Sequence, residues 1–307
     1  MWANRSILLF PAYTPGSFFC RIPAVLPVSA PVTVCWQHIC GCEATTETEF
    51  FGYKLATPIM SGGMAHYHRL REGGAVEFAQ GVKAAGTVMW TGFCPDEDME
   101  KIIAVGAPAV RIIKPFADEN LVLKHIEHDA KAGAAAFSMD IDHVFDKKGH
   151  IGEFFGHPFA PQTVESLHKY AHATDLPFVV KGVLSVEDAY RCAEAGVQGI
   201  LLSHHQNMFP WSVPPLAILP EVRKAVGPDM MIIADCGIET GFDAFKALAL
   251  GADAVCIARP LRPIFTEGGP DAVCEKITKM TDELRVCLSK TASPDIHNIS
   301  PNVLKEL

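Results

Sequence analysis

The chain has 307 residues, a formal net charge of −9 and an apolar fraction of 49%. That is enough to bury one large core, and the lack of any Lys/Arg block argues against a nucleic-acid partner. No apolar run reaches the about 18 residues of a membrane helix, so no membrane partner is expected.

Residues 1–34 contain "SILLF" and repeated prolines without an amphipathic period, which reads as an irregular arm lying on the domain and not as a secretory leader. Ten cysteines are spread along the chain, several inside apolar runs, as buried thiols would be. The densest cluster, "CWQHICGC" with His38, matches no zinc spacing, so neither a metal site nor a disulfide framework is expected and a reducing cytoplasm is the default.

From residue 58 short apolar runs recur: "PIMS" (58–61), "TVMWT" (87–91), "AVRIIK" (109–114), "AAFSMD" (135–140), "FVVK" (178–181), "GILLS" (199–203), "MIIAD" (231–235) and "AVCIA" (254–258). Segments with helical spacing, such as "EDMEKIIAVG" and "VEDAYRCAEAG", separate them and often close on Gly. Strands apolar on both faces and alternating with helices predict a parallel sheet, and eight units predict an α/β chain folded as a (β/α)8 TIM barrel. The expected division is an irregular N-terminal arm (1–50), the barrel (51–290) and a C-terminal tail (291–307).

A barrel puts its chemistry at the C-terminal strand ends. Those positions read Ser61-Gly62-Gly63, Thr91-Gly92, Lys114, Asp140, Lys181, Ser203-His204-His205, Asp235-Cys236-Gly237 and Ala258-Arg259. Lys181 follows four apolar residues, where an unpartnered ammonium would be costly; it is a snorkelling rim residue or a cation aimed at an anionic ligand. His204 and His205 are neighbours, so one of them faces the axis, where an imidazole suits general-base work near neutral pH. The loops after the seventh and eighth strands have the glycines and the helix start of a phosphate cradle.

The stretches "VVKGVLSVEDA", "LLSHHQN", "PPLAILPEVRKAV" and "IADCGIETGFDAFKALALGADAVCIARPL" resemble the C-terminal half of the FMN-dependent α-hydroxy acid dehydrogenase/oxidase family. "TETEFFGYKLATPIMSGGMAH" and "AAGTVMWTGF" resemble its first two strands more faintly. The resemblance implies FMN as cofactor, contacted by Ala65, Thr91, Arg111, Ser138, Lys181, Ser203, Asp235, Gly237, Ala258 and Arg259. It also implies His205 as the base, Lys181 beside the N1/O2 edge of the flavin, and Asp235 supporting that histidine or the ribityl chain. A small-molecule substrate, an electron acceptor of undefined kind and a homo-oligomer, by resemblance a tetramer, complete the implied picture.

The departures from the pattern concern substrate binding. The family's S-N-H-G-G-R reads Ser203 to Met208 here, so a thioether replaces a carboxylate-clamping arginine. The segment after the fourth strand offers Lys147 and Lys148, with His143 and His150, instead of a second arginine. In the third strand Arg111 and Ile113 are expected to replace the usual glutamine and tyrosine, and Glu239 stands where an arginine would meet phosphate. The substrate contacts expected are therefore Arg111, Met208, Lys147 and Lys148, around a substrate other than ordinary lactate or glycolate. The alternatives are a non-catalytic flavin-binding barrel, or a barrel similar to type 2 isopentenyl-diphosphate isomerase or IMP dehydrogenase.

Overall fold

The computed structural model describes residues 32–37, 39, 41–146, 148–205 and 212–306. Eight parallel strands form the barrel wall: β1 (Ile59–Ser61), β2 (Met89–Thr91), β3 (Ala109–Ile113), β4 (Ala136–Asp140), β5 (Phe178–Val183), β6 (Gly199–Leu202), β7 (Met231–Ala234) and β8 (Ala254–Ile257). From β2 to β8 each strand pairs with the next in sequence, and β8 returns to β1. The ring closes between β1 and β2, where the Ser61 amide donates to the Val88 carbonyl and Met64 bridges Thr91. All eight strands fall where the apolar runs predict them.

The strand alternation builds two cores. Met60, Val88, Trp90, Val110, Ile112, Ala136, Val179, Leu201, Ile233 and Cys256 face inward and fill the barrel. Residues of opposite parity, such as Ile59, Met89, Phe137, Val180, Ile200, Ile232 and Val255, pack outward against the helices. Below, the hairpin of Thr48–Phe50 and Tyr53–Leu55 sends Phe50 and Leu55 into the inner core. The boundary expected at residue 50 thus falls inside this hairpin.

The surrounding helices are α1 (Gly74–Ala84), α2 (Asp96–Val105), α3 (Glu119–Ala132), α4 (Val164–Ala171), α5 (Val186–Glu194), α6 (Pro215–Val226), α7 (Gly241–Ala249) and α8 (Leu261–Lys290). Local chemistry sets their ends. Asp118 and Ser185 cap α3 and α5, and Thr163 with Ser166 and Thr240 with Asp243 form capping boxes on α4 and α7. Gly106 and Gly133 stop α2 and α3 in the left-handed region. Gly269, at φ 66°, and Pro270 break α8 into a short first piece and a long second one, whose Val273, Ile277, Met280, Leu284 and Leu288 are buried.

Val32–Val34 pairs antiparallel with Leu304–Glu306, while Ile296 and Val303 of the tail enter the core. Residues 1–31, the bulk of the expected arm, lie outside the described residues. Among the described residues no helix is long and apolar enough to cross a membrane.

Candidate active site

The mouth of the barrel carries ionisable groups on successive inward positions. Asp140 ends β4, two residues beyond the inward Ser138 and four beyond Ala136. Lys181 follows the inward Val179 on β5 and is only 5% exposed. The register between β5 and β6 slips after Lys181, with Gly182 at φ 98° as the extra residue of a bulge. A Cβ on Gly182 would stand 2.7 Å from Cβ and Cγ of Asp142, so the glycine makes room for that carboxylate.

His205 lies three residues beyond β6, at φ 48°, with its amide donating to Ser203 Oγ. Its Nδ1 is 3.3 Å from Lys181 Nζ and 3.3 Å from Asp142 Oδ1, with Asp140 Oδ1 at 3.6 Å. Lys181 donates to Asp140 Oδ1 at 2.9 Å and Lys114 to Asp140 Oδ2 at 2.9 Å. His143 sets its ring edge-on to that of His205, with centroids 4.8 Å apart. His204 turns away into buried surroundings. The sequence expectation that Lys181 and His205 converge matches this geometry; Asp142 and Lys114 are the members it did not assign. Lys114 was visible as a strand-end residue, whereas Asp142 sits in a one-turn 3-10 helix after β4 that no periodicity marks.

Burial opposes charge on Asp140, Asp142, His205 and Lys181, and on all of these but Asp142 the partners decide the outcome. Burial would raise the Asp140 carboxyl, but Lys181, His205 and Lys114 hold it well below the usual carboxylate range. Asp142 goes the other way: burial dominates and lifts it, against the pull of Lys181 and His205. Burial would lower His205, but hydrogen bonds to Asp140 and Asp142 outweigh it and carry the imidazole up to about 9. Lys181 is raised despite desolvation, because Asp140, Asp142 and Asp235 face it. Asp140, Asp142 and His205 bring one ligand-capable atom each within 4.8 Å of one another. Two ammonium groups already neutralise Asp140, so charge favours an ion-pair cluster over cation binding.

Ser203 is buried and donates to Asp235 Oδ2 at 3.5 Å, and the Cys236 amide donates to Asp235 Oδ1 at 2.6 Å. Cys236 and Gly237 both take positive φ, turning the chain sharply after β7. Ala258 is buried at the end of β8 and Arg259 beside it is exposed. Gly62 approaches Ala258 so closely that a Cβ would lie 2.7 Å from the alanine methyl. The start of α7 is already served by the chain itself: Asp243 accepts from the Glu239 and Thr240 amides, and Glu283 from the Gly241 amide.

Arg111 requires a correction. Expected to touch cofactor and substrate, it shares the outward parity of Ala109 and Ile113 and is fully buried under α2 and α3. Its guanidinium binds both oxygens of Asp129, at 2.7 and 3.0 Å, and Asp96 Oδ1 at 2.7 Å. Two inward positions of this segment are instead Ile112 and Lys114. Ala65 and Thr91 line a cavity of about 430 Å³ with Tyr67, Phe93 and Phe154, in which neither Lys181 nor His205 takes part. Lys148 is exposed on a turn organised by Asp146. Lys147 and Met208 lie outside the described residues.

The residues present fit a flavin on two counts. Ser138 Oγ is buried at an inward position without a hydrogen-bond partner among the described residues, on the strand paired with that of the buried Lys181, which is the polar lining a heteroaromatic ring with carbonyl groups would satisfy. At the phosphate side, Gly237, Ala258 and the exposed Arg259 remain available, while Glu239 points its exposed side chain to solvent.

Fold and site together define a barrel enzyme with an acid–base cluster at its C-terminal mouth. FMN-dependent dehydrogenase is the family that matches residues 37–151 and 145–306, and the chain belongs to it. FMN is thereby the cofactor, and the chain is an oxidoreductase of the class acting on CH–OH donors. It is 28% identical to 4-hydroxymandelate oxidase of Amycolatopsis orientalis over 277 residues, 79% of this chain and 78% of that one. With L-lactate oxidase of Lactobacillus jensenii it shares 27% over 296 residues, covering 86% and 72%. A mandelate oxidase structure with a monooxide FMN adduct superposes with a TM-score of 0.80 at 28% identity, covering 90% of this chain and 87% of that chain.

Proposed function

We propose that the protein oxidises a small 2-hydroxy acid or a close relative, with His205 as the base. The observation that carries this reading is the meeting of Lys181 Nζ and His205 Nδ1 at 3.3 Å above the inward strand ends. When bound, FMN supplies the two-electron acceptor at N5 of its ring. Lys181, Ser138 and Ser203 would hold the ring, and Gly237, Ala258 and Arg259 the phosphate. Asp235, whose carboxyl burial raises against the pull of Lys181, supports the Ser203 side of the site.

His205 directs Nδ1 at the carboxylates, and Nε2 makes no hydrogen bond to a described residue. Nε2 is therefore the atom that takes the substrate proton, and the resulting imidazolium stays stabilised by Asp140 and Asp142. The substrate pocket differs from that of lactate and glycolate oxidases in this reading, because position 208 is Met and Arg111 is committed to Asp96 and Asp129. Lys114 places an ammonium group at the mouth in place of a guanidinium fork, which favours a substrate that needs no bidentate clamp.

The test is a visible spectrum followed by substitution. The purified protein is expected to be yellow, and His205→Gln is expected to keep its flavin while losing turnover by about 10²–10⁴-fold. Rapid reduction by lactate would contradict the substrate part, and full turnover of the variant would contradict the base. A colourless protein that FMN does not reconstitute would contradict the ligand contacts. The same reading includes a cytoplasmic tetramer, checked by fractionation and by light scattering. Reoxidation rates with oxygen and with quinones identify the electron acceptor.

A further inference from the structure

An anchor for a substrate carboxylate needs a cation with charge to spare, and the charges at the barrel mouth leave none. Among the described residues, the ammonium groups of Lys114 and Lys181 stand among three carboxyl groups, those of Asp140, Asp142 and Asp235. Asp140 accepts from both lysines at 2.9 Å, and Asp142 and Asp235 add their fields at Lys181. His205 must be neutral to act as a base, and burial together with Lys114 pushes His143 toward neutrality. The balance at the moment of reaction is then negative, and protonation of Asp142 or Asp235, which burial favours, only levels it.

The remaining basic groups do not alter that balance. Arg111 lies behind the barrel wall, bound to Asp96 and Asp129. Arg259 is exposed on the side assigned to phosphate, and Lys148 is exposed on its turn, where solvent and salt screen a charge. Residues 206–211 read Gln-Asn-Met-Phe-Pro-Trp and add no basic side chain, and Lys147 lies outside the described residues. What the mouth does offer is a donor. Lys114 has one hydrogen-bond partner among the described residues, three protons to give, and a side chain 15% exposed against 6% for Lys181.

We infer that the site selects an uncharged α-hydroxy carbonyl compound, a 2-hydroxy amide or ester, over the corresponding 2-hydroxy acid. This rests on the oxidation proposed at His205 and names the group beside the reacting carbon: a neutral carbonyl whose oxygen accepts from Lys114. A carboxylate in that place meets the like charge of Asp140 and Asp142, which opposes binding. An amide keeps the acceptor oxygen and sheds the charge.

The experiment compares ligands that differ in that charge. 2-Hydroxyisobutyramide and 2-hydroxyisobutyrate have no hydrogen on the hydroxyl carbon and cannot be oxidised, so calorimetry on the FMN-loaded protein reads binding without turnover. Above the His205 midpoint of about 9, the amide is expected to bind about tenfold or more tightly than the acid. Lactamide is likewise expected to bleach the flavin about tenfold or more faster than lactate at limiting concentration. Lys114→Met is expected to weaken the amide, because its carbonyl loses the donor; if that variant does not fold, the comparison in the native protein still decides. Acid binding as tight as amide binding, or no binding of either, overturns the inference. Tighter acid binding that Lys148→Ala removes overturns it too and puts the anchor on the exposed turn. An unweakened amide in Lys114→Met contradicts the Lys114 contact. Preferred binding of the amide without oxidation of either lactamide or lactate counts against the proposed activity and not against the selectivity.

Discussion

Asp140 holds two lysines at once, and the consequences of that arrangement can be measured at the level of single side chains. Asp140→Asn leaves two enclosed ammonium groups, Lys114 and Lys181, without their counter-charge. Breaking a buried pair in this way costs about 3–5 kcal/mol, so chemical denaturation of the variant is expected to show a loss of that order. An unaltered midpoint would mean that solvent or Asp235 and Asp142 already compensate the lysines. Strand-end position marked Lys181 and the His204–His205 pair as polar residues closing apolar runs, and the family resemblance singled out His205 from the pair. Neither could mark Asp142, whose place depends on a bulge in another strand and on the missing Cβ of Gly182.

The strands and helices were legible for a simple reason: a strand buried on both faces is a short, continuous apolar run, and eight such runs alternate with capped helices. The same property hid which way each strand faces. "AVRII" is apolar on either side of its arginine, so the pattern alone could not tell whether Arg111 looked into the mouth or out to the helices. Its partners, Asp96 and Asp129, lie on different helices 15 and 18 residues away, and only the packed structure joins them. Arg111 therefore belongs to the scaffold that fixes α2 and α3 against β3. Arg111→Ala is expected to lower stability by about 3–5 kcal/mol, because it strands the buried Asp129, and to leave the Michaelis constant of the folded fraction unchanged. A raised Michaelis constant with normal stability would return Arg111 to the substrate pocket.

At the scale of the whole molecule, the cluster ties stability to pH from both sides. The carboxyl of Asp140 is depressed in the fold, so its contribution is present above its usual value of about 3.8 and disappears as pH falls through the lower folded value. His205 is raised from 6.5 to about 9, so its contribution is complete below 6.5 and disappears as pH rises through about 9. Thermal melts are expected to peak between these limits, with an alkaline decline that is shallower in His205→Gln. An identical decline in that variant would assign the alkaline loss to other groups.

The most direct measurement of the central claim, that His205 is the base at an FMN-carrying mouth, is the rate of flavin bleaching by 2-hydroxy acids without oxygen, followed across pH. A base must be neutral to act, and His205 is protonated below about 9 in the free protein. The bleaching rate at limiting substrate is therefore expected to climb with pH toward a plateau beyond about 9, and the His205→Gln protein to be slow and flat over the same span. A rate that is independent of pH in the native protein, or a variant that bleaches as fast, would contradict the assignment.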